Sequence, residues 1–197
     1  MSFRKEKKYK LTIFEYNIFK KYLIRNGMSA LFKPRHIKST YYDTESLEMF
    51  YNSEEGVLPR KKIRIRSYNN NDYASIEIKI SSIEGRHKNV IKSGIKSPIG
   101  FPKTIQDQQY GLLSPSLFIS YDREYYSFKG LRLTFDSYIK YKNMRQLNML
   151  ELNEPERVIE VKASINTPDE FIETVIPFPN TRFSKYCRGL SLSLGLI

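Results

Sequence analysis

Strict alternation of polar and apolar residues is the feature of this sequence that most limits its fold. It is clearest at 62–66, where Lys62, Arg64 and Arg66 alternate with Ile63 and Ile65. Successive side chains of a β-strand point to opposite faces, so the cations share one face and the isoleucines share the other. The same period returns at 3–9, 36–42, 75–80, 119–126, 131–136 and 157–163. Polar stretches separate these segments, so the sequence predicts a protein dominated by antiparallel strands.

Helical patterns are fewer, and segment 12–26 has the clearest one. Its expected buried stripe consists of Phe14, Ile18, Phe19, Tyr22 and Leu23. Thr12 is the expected N-cap and Gly27 the expected C-cap. Shorter helical turns are predicted at 45–50, 104–113 and 168–175. Together the patterns predict an α+β fold, with Ile63 and Ile65 beneath a helix such as 12–26.

Length and composition narrow the class of protein. The 197 residues contain no repeat or linker, so 1–197 is predicted to be one domain. An excess of 33 Lys and Arg over 21 Asp and Glu gives a net charge of +12. This excess favours a polyanionic partner, such as nucleic acid, a phosphorylated metabolite or an anionic membrane surface. Cys187, the single cysteine, excludes an internal disulfide and a multi-cysteine zinc site.

The sequence also bears on location. No apolar run approaches the roughly 18–20 residues that span a bilayer. The N-terminal residues are basic but lack the apolar region of a signal peptide. We therefore expect a cytoplasmic protein without a membrane segment of its own.

The polar faces of the predicted strands are rich in cations. They carry Arg4, Glu6 and Lys8; Lys62, Arg64 and Arg66; Ser75, Glu77 and Lys79; Tyr121, Arg123 and Tyr125; Arg132, Thr134 and Asp136; and Glu160 with Lys162. One interpretation is a sheet whose charged face lies in water. The other is a closed barrel of about eight strands, with a charged lumen and helices on its outer apolar face.

Electrostatics bears on this choice. Two like charges 4 Å apart repel by about 4 kcal/mol at an effective dielectric near 20, so a cage of cations needs water, carboxylates or a bound polyanion. Arginine suits bidentate binding of phosphate. The acids Glu6, Glu77, Asp136 and Glu160 either balance the cations or hold a divalent metal, which prefers carboxylate oxygens. The alternation alone leaves both interpretations open.

Eight short motifs carry a resemblance to a known family. They are RxExKY at 4–9, YYDT at 41–44, IRIR at 63–66, EIK at 77–79, YDREYY at 121–126, LRLTFD at 131–136, VIEVK at 158–162 and RFSKYCRG at 182–189. In this order they resemble the VTC domain, the polyphosphate polymerase domain of the triphosphate tunnel metalloenzyme (CYTH-like) superfamily. The resemblance implies a closed antiparallel barrel of eight strands with a basic lumen. It also implies transfer of the γ-phosphate of ATP onto a polyphosphate chain with Mn²⁺ or Mg²⁺.

The resemblance also implies roles for single residues. The implied catalytic cations are Lys8, Arg64, Arg66, Arg123, Arg132 and Lys185. The implied substrate-binding cations are Arg4, Lys79 and Lys162, with Lys88 and Lys92 as alternatives because the loop length leaves both in register. Glu160 is the implied metal ligand, and Glu6 and Glu77 are the other candidate ligands on the polar faces.

One departure from the superfamily pattern bears on the reaction. The first strand of the superfamily carries ExExK, whereas this chain has Arg4 at the first acidic position. One acid fewer favours a site that binds phosphates over one that activates water. No GxxxxGK[ST] loop occurs, which argues against a P-loop ATPase.

Three functional interpretations remain. The first is the polymerase, with ATP, orthophosphate and polyphosphate as partners, no nucleic acid and a possible membrane-protein partner. The second is a tunnel hydrolase that cleaves triphosphate or nucleoside triphosphates. The third is a non-catalytic module that binds polyphosphate or another polyanion.

Overall fold

The structure is a computed structural model that describes residues 4–69, 73–83, 85–96, 102–148 and 150–197, with the backbone alone at Arg4, 85–88 and 91–96. Ten strands and four helices lie in this described part. They are β1 (Arg4–Leu11), α1 (Ile13–Arg25), β2 (Ser29–Asp43), α2 (Glu48–Glu55), β3 (Arg60–Tyr68), β4 (Tyr73–Ser82), β5 (Gly85–Lys96), β6 (Ile105–Asp107), β7 (Gly111–Phe128), β8 (Leu131–Asn143), β9 (Glu151–Asn153), β10 (Arg157–Ser164), α3 (Asp169–Val175) and α4 (Lys185–Ser193). The predicted α+β fold is confirmed.

The chain divides into two compact units. The first consists of 1–35, 121–139 and 154–183, and the second of 36–120, 140–153 and 184–197. The assignment of 1–197 to one domain stays a prediction, as does closure of the strands into a barrel.

In the first unit, neighbouring antiparallel strands follow the order β1-β10-β8-β7. The register sets Lys8 opposite Glu160, and it sets Lys162 between Glu6 and Arg132. The predicted polar residues therefore share one face. The other face forms a core with α1 and α3, to which Leu133, Phe135, Ile159, Val161, Ile172 and Val175 contribute.

Helix α1 packs on this core through a narrower stripe than the sequence predicts. Its start is confirmed, because the Thr12 hydroxyl accepts from the Glu15 amide and the Glu15 carboxylate accepts from the Thr12 amide. The residues that it buries are Tyr16, Phe19 and Leu23. The residues that stay exposed are Phe14, Ile18 and Tyr22, by 74%, 52% and 57%. The predicted stripe is wrong for these three, because the helix turns Tyr16 toward the sheet, where it packs edge-on against Phe135.

The end of α1 lies one residue before the predicted one. Asn26 is the C-cap, and its backbone N–H donates to carbonyls of the last turn. Gly27 follows at φ +96°, in the left-handed region that glycine adopts without strain.

In the second unit, neighbouring strands follow the order β7-β2-β3-β4-β5. The register pairs Arg64 with Glu77. Ile63 and Ile65 are buried, as predicted, but their core partner is Met49 of α2. A helix therefore covers them as predicted, but it is α2, which follows β2 directly, rather than the helix at 12–26.

The predicted helical turn at 104–113 is also wrong. Strand β6 pairs with the start of β7, so the segment is a hairpin. The Asp107 carboxylate accepts hydrogen bonds from the backbone N–H groups of Gln109 and Tyr110, and Gly111 follows at φ +73°. A side chain that bonds the backbone two and three residues onward favours a turn over a helix.

The remaining helices fit the sequence in part. The turn predicted at 168–175 is α3, and the turn predicted at 45–50 begins later, as α2. Helix α2 starts where the buried Asp43 carboxylate accepts from the N–H groups of Met49 and Phe50. Helix α4 was not predicted. None of the helices in the described ranges has the length and apolar character needed to cross a membrane.

The burial pattern of α1 makes a stability prediction. We expect Leu23→Ala to lower the free energy of unfolding by about 3 kcal/mol, because it opens a cavity in the first-unit core. Ile18→Ala, on the exposed side of the same helix, should stay within about 0.5 kcal/mol of the wild type. Urea unfolding of both variants measures the difference. Equal losses would show that Ile18 is covered in the folded protein.

Candidate functional site

Arg123 and Asp136 form the most buried ion pair on the polar face of the first unit. The Arg123 guanidinium donates from Nε and Nη2 to the two Asp136 oxygens, at 2.6 and 2.7 Å. Its Nη2 also lies 3.8 Å from Glu160 Oε2. Burial lowers the pKa of Arg123, but Asp136, Tyr121 and Glu160 outweigh it, so the pKa lies above its ordinary value. Arg123 therefore remains charged.

The lysines of this face lie beside carboxylates or carbonyls. Lys8 Nζ donates to the Phe183 carbonyl at 2.8 Å and lies 3.6 Å from Glu6 Oε1. Lys162 Nζ lies 3.1 Å from Glu160 Oε1. Glu160, the implied metal ligand, is thus a buried carboxylate with cations on two sides.

Arg132 differs from the other cations of this face. Its guanidinium carbon lies 5.8 Å from the Phe32 ring centroid and 5.7 Å from that of Tyr125. In the described part of the chain no carboxylate forms an ion pair with Arg132, and its buried Nε has no hydrogen-bond partner. The Thr134 hydroxyl, two residues onward on the same face, is also buried without a described partner. A buried polar group left unpaired costs about 1–3 kcal/mol, so these groups suit a ligand that brings acceptor oxygens.

On the polar face of the second unit, two arginines share one buried carboxylate. Arg64 donates from Nε and Nη2 to Glu77 Oε2 at 2.8 and 2.5 Å. Arg66 Nη1 lies 3.6 Å from the same oxygen, and Arg66 Nε donates to the Ser39 hydroxyl at 3.0 Å. One carboxylate between two guanidinium groups leaves positive charge on this face.

Lysines add to that charge. Lys62 and Lys79 are direct cross-strand partners, and Lys88 is the register partner of Lys79 on the next strand. Like charges directly opposite one another destabilise a sheet. Lys62 Nζ donates to the Ser184 hydroxyl at 2.9 Å. This hydrogen bond positions the ammonium group but does not neutralise its charge. Lys62 and Lys79 are therefore suited to binding an anion.

The other sequence-predicted residues have the following places. Lys185 is the first residue of α4, in the second unit. Arg4 lies on β1, and Lys88 and Lys92 lie on β5, but their side chains fall outside the described part of the structure. The roles implied for these residues, including the choice between Lys88 and Lys92, stay predictions.

Tyr41 is a site residue that the sequence analysis did not single out. Its phenol oxygen accepts a hydrogen bond from Arg64 Nη1 at 2.5 Å, and its ring stacks on Tyr186 at 4.7 Å. Burial raises the pKa of Tyr41, but Arg64, Arg66 and Lys62 outweigh it and bring the pKa down to about 8. The motif YYDT could have revealed Tyr41, because the residue shares a strand face with the polar residues Ser39 and Asp43.

The described residues do not form a closed metal site. Among them, no group of three or more His, Cys, Asp or Glu side chains comes together. Glu6 and Glu160 lie on the paired strands β1 and β10, whereas Glu77 belongs to the second unit. An ion such as Mg²⁺ is commonly held by one or two carboxylates together with substrate phosphates and water. Glu160 with Glu6 fits that kind of site.

The sequence and the fold both match known proteins. The VTC domain family matches the chain over residues 3–108 and 101–194. This chain belongs to the VTC domain family. The resemblance inferred from the eight motifs is therefore confirmed for the family. Among curated proteins, none matches the chain significantly.

Solved structures match the fold of this VTC domain at low identity. The PH1819 protein from Pyrococcus horikoshii OT3 has a TM-score of 0.57 and 14% identity, over 98% of this chain and 99% of that one. A conserved hypothetical protein from Pyrococcus furiosus has a TM-score of 0.56 and 10% identity, over 94% and 99%. HpAC1 from Hippeastrum, an adenylyl cyclase candidate with a dominant triphosphatase activity, has a TM-score of 0.53 and 14% identity, over 96% and 95%. At these identities the likeness establishes the fold alone.

Tyr41 makes a prediction about pH. The pKa of Tyr41 in the folded protein, about 8, lies below the ordinary 10.0, so ionisation of Tyr41 stabilises the folded state. This stabilisation is complete above about pH 10 and is lost as the pH falls through about 8. From pH 8 to 10, the unfolding free energy of the wild type should therefore rise relative to Tyr41→Phe by about 2 kcal/mol. Denaturant unfolding across this range measures it, and parallel stability curves would contradict it.

Proposed function

We propose that this VTC domain is a polyphosphate polymerase, which transfers the γ-phosphate of ATP onto the end of a polyphosphate chain. The unpaired donors of Arg132 and Thr134 are the observation that carries the proposal. They lie on a face that already holds Lys8, Arg123 and Lys162. A phosphate group brings several acceptor oxygens and negative charge, so it satisfies both donors at once.

The charge of each polar face supports a polyanionic substrate. Among the polar-face residues that the sequence analysis names and whose side chains are described, the first unit has the cations Lys8, Arg123, Arg132 and Lys162 and the carboxylates Glu6, Asp136 and Glu160. The second unit has Lys62, Arg64, Arg66 and Lys79 and the carboxylate Glu77. Within this set, four cations against three carboxylates leave +1 in the first unit, and four against one leave +3 in the second. Each face therefore attracts phosphates while part of its charge is already compensated.

The reaction needs little beyond these groups. Phosphoryl transfer is catalysed mainly by positioning and by neutralising the charge of the transferred and leaving groups. In the proposed reaction Arg123 and Arg132 hold phosphate oxygens of the substrate. The attacking terminal oxygen of polyphosphate is anionic at neutral pH, so the reaction requires no strong general base.

A divalent metal, Mn²⁺ or Mg²⁺, belongs to this proposal. Such an ion would supply further neutralisation of the phosphate charge. Glu160 is the residue that would hold it, with Glu6 on the neighbouring strand. Glu77 is a weaker candidate because Arg64 and Arg66 already share its carboxylate.

A triphosphatase is the second candidate function. The triphosphatase activity named for HpAC1, which has the same fold, favours it. The same cations would bind the substrate, and water would replace polyphosphate as the acceptor. Arg4, at a position where the superfamily pattern has an acid, favours the polymerase.

The products decide between these functions. The purified protein is incubated with ATP and Mn²⁺, and the products are resolved by ³¹P NMR and on a gel. Polymerase activity gives ADP and polyphosphate chains. Release of orthophosphate without chains would support the triphosphatase, and binding without turnover would support a polyanion-binding module.

Arg132→Gln tests the cation that carries the proposal. We expect this variant to bind inorganic tripolyphosphate at least about ten-fold more weakly, because a charge-assisted phosphate contact is lost. Its melting temperature should hold, since no described carboxylate loses a partner. The matched control is Arg157→Gln, which removes the same charge on the apolar side of β10 and should change affinity less than about two-fold. Isothermal titration calorimetry measures both, and equal losses would point to long-range electrostatics instead.

Glu160→Gln separates catalysis from binding. The substitution keeps the size of the side chain but removes the charge that a divalent ion needs. We expect ATP turnover to fall by at least about a hundred-fold, because loss of metal stabilisation amounts to several kcal/mol. Tripolyphosphate binding without metal should persist, because a cationic face has lost one anion. A destabilised variant with full activity would show that Glu160 is only an ion-pair partner of Lys162 and Arg123.

A further inference from the structure

A half-exposed aromatic ring borders the anion site of the first unit. Phe32, on β2, is 50% exposed, and its ring meets the buried Tyr125 edge-on at 5.7 Å. The guanidinium groups of Arg132 and Arg35 lie 5.8 and 6.0 Å from its centroid. We call these four side chains the Phe32 cluster.

The contacts in the Phe32 cluster are loose. Separations of 5.5–6.0 Å between guanidinium carbon and ring centroid lie at the outer limit of a cation–π interaction. Phe32 thus gains little from its neighbours, and half of it stays in water at the cost of hydrophobic burial. Exposed aromatic rings and arginine planes are the groups on which proteins stack nucleobases.

Arg132 joins this ring to the phosphate site. It is the cation that lacks a described carboxylate, and it also lies over Phe32. A ligand that uses both features has an anionic end and a planar aromatic end. Inorganic triphosphate and polyphosphate have no planar group, whereas a nucleoside triphosphate has both.

We propose that Phe32 and Arg35 form a stacking platform for the nucleobase of the ATP donor. The inference rests on the proposed function, in which Arg132 binds the phosphates. Stacking depends on the π-face that every base has, so it tolerates a change of base. ATP and GTP should therefore bind within a few-fold of each other.

The test compares ATP with inorganic tripolyphosphate in metal-free calorimetry. Phe32→Ala should weaken ATP binding about ten-fold, because stacking on one aromatic side chain is worth about 1–3 kcal/mol. Tripolyphosphate affinity should change less than about two-fold, since that ligand does not reach the ring. Phe32→Trp should keep ATP affinity, because a planar ring remains. Leu31→Ala is the matched control, because Leu31 is the neighbour of Phe32 on β2, is 41% exposed and has no ring on which a base could stack.

Each outcome bears on the platform. Unchanged ATP affinity in Phe32→Ala would overturn the stacking platform. Equal weakening of ATP and tripolyphosphate binding would also overturn it, by showing that Phe32 only supports Arg132. If Phe32→Ala does not fold, Phe32→Leu keeps apolar volume without a planar ring and is judged by the same comparison. Failure of the wild type to bind tripolyphosphate would count against the proposed function instead. In that case, loss of ATP affinity in Phe32→Ala would still support the platform.

Discussion

Buried carboxylates shared with arginines are the interaction on which both polar faces depend. Asp136 is fully buried and neutralises Arg123 with two hydrogen bonds. Glu77 is nearly as buried and serves Arg64 and Arg66 together. Without these acids, adjacent guanidinium groups would repel one another by several kcal/mol in so buried a place. The strand register brings each acid to its arginine, so the antiparallel pairing and the charge balance support each other.

The carboxylates do not satisfy every buried donor on the polar face of the first unit, and a ligand can bind to the donors that remain. Arg132 and Thr134 keep buried donors for which the described part of the chain offers no acceptor. Folding therefore leaves a local cost that phosphate oxygens remove on binding. A site of this kind is preorganised, because its arginines are already held by carboxylates, hydroxyls and rings before a substrate arrives.

Much of the candidate site could be predicted from the sequence, but the hydrogen-bond and ion-pair partners of its side chains could not. Alternation placed Arg64, Arg66, Arg123 and Arg132 on polar strand faces, and the ordered motifs identified the VTC family. Which acid bonds which cation was not predictable, because Asp136 and Glu160 belong to different strands from Arg123. Tyr41 was missed for a similar reason, since its low pKa depends on cations from another strand.

The sequence by itself determined the alternating segments and which of their residues share a face, because successive side chains of a strand point to opposite faces. It also determined where α1 begins, because the capping box at Thr12 and Glu15 is a local interaction. Only the tertiary structure decided that Tyr16 rather than Phe14 is buried, that 104–113 is a hairpin and that α2 covers Ile63. It alone left Arg132 beside Phe32 with no carboxylate partner among the described residues. These outcomes depend on distances between residues far apart in the chain, which a local period does not encode.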